Sequence, residues 1–286
     1  MKLSVIIPAY KEPYIQKTID SLLDVSELGG ELEIIPVLDG PWMVGTIRPD
    51  FRVRTIQFTR NKGMRAAINA GLESAIGDFV LKVDAHCAFA QGFDRIIVEN
   101  CEENWLMVPR EYSLDENTWG IIKKRRFRDY HYLNFPGTGF MTPQTDKVTN
   151  SKLEIDDTMA FQGSCWMANR NFFMENVGFL DDRPYLYGPF AADQLEMGLK
   201  YWLKGHSVKV NKKTWYAHLW KMPRHYFSGE YGKKPSLGAN WAWATDHWFN
   251  NREPNMIHSL SWLIEKFWPV PTWPEDRNLW RINENY

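Results

Sequence analysis

The sequence predicts an α/β fold built on a doubly wound, Rossmann-like mixed sheet, on three observations. Short β-rich runs alternate with helix-spaced apolar residues through the first third of the chain. Two of those runs close on a turn carboxylate, Asp39 and Asp84, where ligands sit in such sheets. And 286 residues suffice for one large α/β domain with a full core.

Leu3 to Ala9 is a short apolar run of the kind buried in a parallel sheet. From Tyr14 to Leu23, Ile15, Ile19, Leu22 and Leu23 recur at helical spacing. Leu32 to Leu38 reads as a second strand, stopped by Asp39-Gly40-Pro41, and Val53 to Phe58 as a third. A helix follows from Met64 to Ala75 and breaks at Gly77-Asp78; Phe79 to Val83 is then a fourth strand, closing on Asp84-Ala85-His86. From about Asn117 to Asp157 the periodicity fades, which predicts long loops with a hairpin that shape a site. Order returns over Met159 to Ala168, then in a helix from Asp193 to Lys204 capped by Gly205, and in a strand from Ser207 to Val210. A further helix is expected around Asn240 to Phe249. Residues 256–286 carry Trp262, Trp268, Trp273 and Trp280 between prolines and read as a strap packed on the domain.

Composition narrows the function. The 44% hydrophobic and 24% charged residues are ordinary for a globular chain. Thirty-four basic against 35 acidic residues give a net charge of −1, so there is no global polyanion-binding field. Three scattered cysteines, Cys87, Cys101 and Cys165, suit a reducing cytosol better than a disulfide framework. Leu3 to Ala9 is too short for a signal core or a membrane span, and the chain is expected to be cytoplasmic. Fourteen tryptophans exceed what the core needs and point to stacking surfaces.

The chemistry concentrates at Asp84-Ala-His86. Period two after a strand aims the carboxylate and the imidazole the same way, and that pair suits Mn²⁺ better than Mg²⁺. Read alone, Asp84 also fits a strand-end carboxylate that caps the next loop, and His218 a satisfied core histidine.

Four segments taken together resemble the polypeptide N-acetylgalactosaminyltransferases, glycosyltransferases of the GT-A fold. They are Asp84-Ala-His-Cys-Ala-Phe, with Asn61-Lys-Gly63 and Gly77-Asp78 before it; Phe161 to Asp181; Asp193-Gln-Leu-Glu196-Met-Gly-Leu-Lys; and Tyr216-Ala-His218-Leu-Trp. They occur in the family's order over roughly residues 1–250. The resemblance implies a single GT-A domain over 1–255, with a nucleotide-sugar half to about residue 115 and an acceptor half with lid from 116. Residues 256–286 remain as a C-terminal extension.

It also implies a metal site of Asp84, His86 and His218, a UDP-sugar donor, and Mn²⁺ or another divalent cation. Donor contacts fall to Pro8, Ala9, Tyr10, Glu12, Asp39, Gly63 and Asp84, and to Lys221, Arg224 and Tyr226 of the lid. Asp39 fits equally a uridine-holding carboxylate or an ordinary turn aspartate, and the Tyr10 ring fits stacking or packing. Asp193, Gln194 and Glu196 are the candidate catalytic group. An amide at Gln194, where inverting relatives carry a basic carboxylate, implies retention; a one-residue shift of register would make Asp193 the base. Asp193 and Glu196 also suit a helix N-terminus.

Departures bear on the substrates. Phe190-Ala191-Ala192 replaces the family's Trp-Gly-Gly, which leaves the sugar open among GalNAc, GlcNAc and a related hexose. The family's membrane anchor and lectin domain have no counterpart in these 286 residues, and a cytosolic acceptor is expected. The acceptor is a protein Ser/Thr, a glycan or a hydroxymethylated DNA base. For the last, Lys123 to Arg128 holds five basic residues in six, with aromatics beside them, although such runs also occur as solvated loops. A non-catalytic module that binds a sugar nucleotide or nucleic acid is the alternative from another class.

Overall fold

Side chains alternate faces along a strand, so a strand with apolar residues on both faces is buried on both sides. In β1 (Leu3–Ala9), Leu3, Val5, Ile7 and Ala9 join one core and Ile6 the other. The computed structural model describes all residues except 43–46, 138–140, 147–151, 184–185, 189–191, 221–236 and 282–286.

After β1 come α1 (Ile15–Val25), β2 (Leu32–Leu38), β3 (Ile56–Gln57), α2 (Met64–Ser74) and β4 (Phe79–Val83). The chain continues through β5 (Cys87–Phe89), α3 (Phe93–Glu99), β6 (Trp105–Ser113), β7 (His131–Leu133), β8 (Pro143–Thr145) and β9 (Ile155–Asp157). It closes with β10 (Cys165–Asn169), α4 (Arg170–Asn176), α5 (Asp193–Leu203), β11 (Ser207–His218), α6 (Leu237–Phe249) and α7 (Leu260–Lys266).

The main sheet has nine strands in the order β3-β2-β1-β4-β10-β6-β11-β5, with β9 on β11. β3, β2, β1 and β4 are parallel, as are β6 and β11. β10 runs antiparallel between β4 and β6, and β5 and β9 run antiparallel to β11. This is the expected doubly wound mixed sheet. One core holds Ile15, Ile19 and Leu22 of α1 with Phe93 and Ile97 of α3; the other holds Ala67, Ile68 and Leu72 of α2 with Leu195, Leu199 and Trp202 of α5.

Several elements differ from expectation. The third strand is confined to Ile56–Gln57 at the sheet edge, with Val53 held by an isolated bridge to Ile34. The strand begun at Ser207 runs on to His218, through a register shift between Asn211 and Trp215 that breaks its alternation. The expected hairpin is β7–β8. Gly205, at φ 81°, follows the last turn of α5. The tryptophan-rich end is packed as expected, part of it as α7: Trp273 and Trp280 are buried in the α2–α5 core, and Trp273 Nε1 donates to the Leu133 carbonyl at 2.5 Å. No helix among the described residues is long and apolar enough to cross a membrane.

Candidate functional site

The β4 ladder ends where Asp84 N–H donates to the Ser164 carbonyl at 2.8 Å, releasing the chain at the carboxyl edge of the sheet. It turns back at once as β5, whose Cys87 is in register with His218 at the end of β11. Leu219 N–H donates to the His86 carbonyl at 3.1 Å and locks that junction. One antiparallel pairing thus unites Asp84, His86 and His218.

His218 Nε2 lies 3.2 Å from Asp84 Oδ2 and 3.0 Å from His86 Nε2, and His86 Nε2 lies 3.9 Å from the same carboxylate oxygen. Ligands about 2.1 Å from a divalent ion and adjacent in its shell are separated by about 3 Å. Two imidazole nitrogens facing each other at 3.0 Å, with a carboxylate oxygen completing a triangle, make a donor set that fits one ion. The three form the one such group among the described residues. Burial lowers the pKa of His218 against the pull of Asp84, which favours the neutral, ligating ring. Burial opposes charge on Asp84, but Lys82 and then His218 outweigh it and hold the carboxyl well below its ordinary range.

A carboxylate stands behind the His86 ring. Glu12 Oε2 is 3.1 Å from His86 Nδ1, which turns Nε2 toward the cluster. Glu12, an expected donor contact, lies against His86 in the structure. Glu111, in β6, is buried close enough to His218 to perturb it electrically. His218 Nδ1 and Glu111 Oε2 both lack hydrogen-bond partners among the described residues.

Lys82 reaches the cluster from beneath. It is 1% exposed, with Nζ 2.5 Å from Asp84 Oδ1 and 2.6 Å from the Gly163 carbonyl. Burial opposes its charge, yet Asp84 and Asp193 keep the ammonium above its ordinary pKa. A Cβ at Gly163 would stand 3.1 Å from both Asp193 Oδ2 and Gln194 Oε1, so glycine there permits the start of α5 to close on the cluster. Asp193 is buried, its pKa raised by burial over the opposing pull of Lys82 and Arg65, and its Oδ2 has no hydrogen-bond partner among the described residues. Gln194 is half-buried.

Glu196, expected in the catalytic group, is held between two cations. Its oxygens bind Arg65 and, at 2.7 Å, Lys200, as a buried structural ion pair. Asp39 accepts from Asn61 Nδ2 at 2.8 Å, Lys62 N–H at 2.6 Å and Gly63 N–H at 2.8 Å, which is the turn role; it fixes the entry to α2, where Gly63 adopts φ 103°. Pro8 and Ala9 end β1 on the same carboxyl edge, and Tyr10 is half-buried beside them. Ala192 sits at φ 60°, a backbone suited to the glycine of the family pattern. Lys221, Arg224 and Tyr226 lie outside the described residues, as do Phe190 and Ala191.

Lys82, Glu111 and Gly163 were not singled out from the sequence. The one signal is a lysine inside an otherwise apolar strand, Phe79-Val-Leu-Lys-Val.

Comparisons with known proteins agree with this fold. The profile of glycosyl transferase family 2 matches residues 4–176. Probable N-acetylgalactosaminyltransferase 9 of Caenorhabditis elegans is 25% identical over 207 residues, covering 70% of this chain and 35% of that protein. Putative polypeptide N-acetylgalactosaminyltransferase 13 of Drosophila melanogaster is 26% identical over 245 residues, covering 78% and 42%. The chain thus spans less than half the length of these relatives. The crystal structure of GalNAc-T7 with UDP, GalNAc and Mn²⁺ superposes with a TM-score of 0.71 at 18% identity, over 93% of this chain and 56% of that one, which shows a shared fold.

Proposed function

The chain belongs to glycosyl transferase family 2, and from that premise we propose that it transfers a sugar from a UDP-sugar to a hydroxyl acceptor, with retention. We assign the divalent ion, Mn²⁺ by preference, to Asp84, His86 and His218. The observation that carries this reading is the convergence of those three side chains at the carboxyl edge of the sheet. When bound, the ion supplies Lewis acidity to a diphosphate leaving group.

The chain's own residues do the rest. Glu12 fixes the orientation of His86. The β1 end at Pro8, Ala9 and Tyr10 and the Asp39–Gly63 turn form the floor assigned to the nucleoside, within a donor half spanning about residues 1–115. Residues 116–255 form the acceptor half, where Asp193 and Gln194 close on the cluster across Gly163. Gln194 carries no titratable group, so it positions the sugar or the acceptor hydroxyl rather than removing a proton. Proton NMR of the first-formed product tests this. A retained anomer is expected; an inverted one assigns a base to Asp193 and overturns retention.

A specific observation favours an anionic acceptor as a second reading. Leu114 N–H donates to the His218 carbonyl at 2.9 Å and Ile122 N–H to the Ser113 carbonyl at 2.8 Å, which seats Lys123–Arg126, all exposed, beside the metal histidine. Hydroxymethylated DNA should then outcompete peptides as acceptor, with transfer falling steeply as salt rises. Transfer to neutral acceptors at any ionic strength would dismiss that reading.

A further inference from the structure

A lysine in the middle of a nine-stranded sheet, almost sealed from water, needs a reason, because burying an ammonium is costly without compensating partners. Every neighbour along β4 is apolar, so a methionine or leucine would fill the position without that cost. Lys82 instead engages both sides of the reaction centre. Its Nζ takes Asp84 Oδ1 at 2.5 Å and the Gly163 carbonyl at 2.6 Å, with Asp193 packed against that same glycine.

We infer that Lys82 is a positioning residue that makes uptake of the divalent ion depend on the nucleotide diphosphate. The inference rests on the proposed use of a metal and a UDP-sugar. Asp84 has one oxygen left for the ion, Oδ2, which faces the two histidines. Neutral imidazoles bring lone pairs and no charge. Lys82 cancels the single carboxylate of the ligand set from a contact distance of 2.5 Å. Glu12 is engaged with His86, and Asp193 lies across Gly163 near the same ammonium. Free metal therefore meets three donor atoms with no net negative charge among the ligands and Lys82, a weak site. A diphosphate brings the missing charge and further oxygen ligands together. The same ammonium, by holding the Gly163 carbonyl, keeps the start of α5 in register with the metal, so donor binding and acceptor placement share one anchor.

The test is titration calorimetry of Mn²⁺ into metal-free full-length protein, with and without UDP, on wild type, Lys82→Met and Lys82→Arg. Thermal unfolding of each protein is measured alongside. Wild type should bind Mn²⁺ at least about tenfold more tightly with UDP present. Lys82→Met should bind Mn²⁺ alone at least about tenfold more tightly than wild type, with the UDP effect diminished and kcat falling more than KM rises. Lys82→Arg, which keeps the charge, should retain the coupling. A merely structural lysine predicts the opposite for Lys82→Met, weaker metal binding and a lower Tm. That result overturns the inference, as does wild type binding Mn²⁺ equally well without UDP, whether or not Lys82→Met folds. If wild type binds neither Mn²⁺ nor UDP, the proposed function fails and the inference with it. Binding of both without coupling defeats the inference alone.

Discussion

His86 and His218 are 132 residues apart in the chain and hold their Nε2 atoms 3.0 Å from each other, with the buried carboxylate of Glu12 behind His86. The His218–Cys87 register of β11 and β5 is what brings the rings together, so the site is a consequence of sheet topology. A His-metal pair oriented from behind depends on its outer partners almost as much as on its ligands. Glu12→Gln should therefore weaken Mn²⁺ binding by about 10–100-fold with little change in Tm, as measured by calorimetry and thermal unfolding. Unchanged metal binding would remove Glu12 from the site.

Gly163 leaves room for α5 to approach. A methyl group there meets Asp193 Oδ2 and Gln194 Oε1 at 3.1 Å, so those side chains must give way by a few tenths of an ångström. Gly163→Ala is expected to lower sugar transfer, by less than the roughly 100-fold that misplacing a reacting group by an ångström costs. Metal affinity should hold within a few-fold, because the carbonyl that binds Lys82 is retained.

The role of Glu196 is open to a direct check. With both oxygens given to Arg65 and Lys200 inside the core, Glu196→Gln leaves buried cations undercompensated. The expected loss is about 3 kcal/mol of stability in urea unfolding, with Mn²⁺ affinity of the folded protein unchanged. A catalytic role would show the reverse, normal stability with lost turnover.

Stability should fall in acid through a histidine outside the metal cluster. Burial, with a smaller push from Arg128, lowers His131 to about 4 from an ordinary 6.5. Between those values the unfolded chain takes up a proton that the folded chain refuses. Stability is then full above pH 6.5 and declines as pH falls toward 4, by at most about 3 kcal/mol. His131→Gln should flatten that slope in unfolding experiments at a series of pH values.

Much of this was legible in the sequence because β1, β2 and β4 are largely apolar, each with a single polar residue, and α1 and α2 keep a helical stripe. β5, α3 and β6 were not read. β5 is only three residues long, and β6 carries Arg110 and Glu111 in mid-strand, which obscures its pattern. The Asn211–Trp215 shift likewise hides the second half of β11. Asp84, His86 and His218 were found through their match to a family pattern. Lys82 was passed over because its strand reads as core, and its partners Asp84 and Gly163 meet only once β10 pairs with β4. The Arg65–Glu196 pair was not legible because its members lie 131 residues apart, on α2 and α5.

The central claim, a metal-dependent UDP-sugar transferase centred on Asp84, His86 and His218, is tested most directly by UDP release. A panel of UDP-sugars with Mn²⁺ would be run on wild type, on His218→Ala and with chelator, in the presence and absence of acceptors. The account predicts release from one donor by wild type, with chelation or His218→Ala lowering the rate by more than about 100-fold. Release that persists undiminished in chelator and in His218→Ala would contradict it.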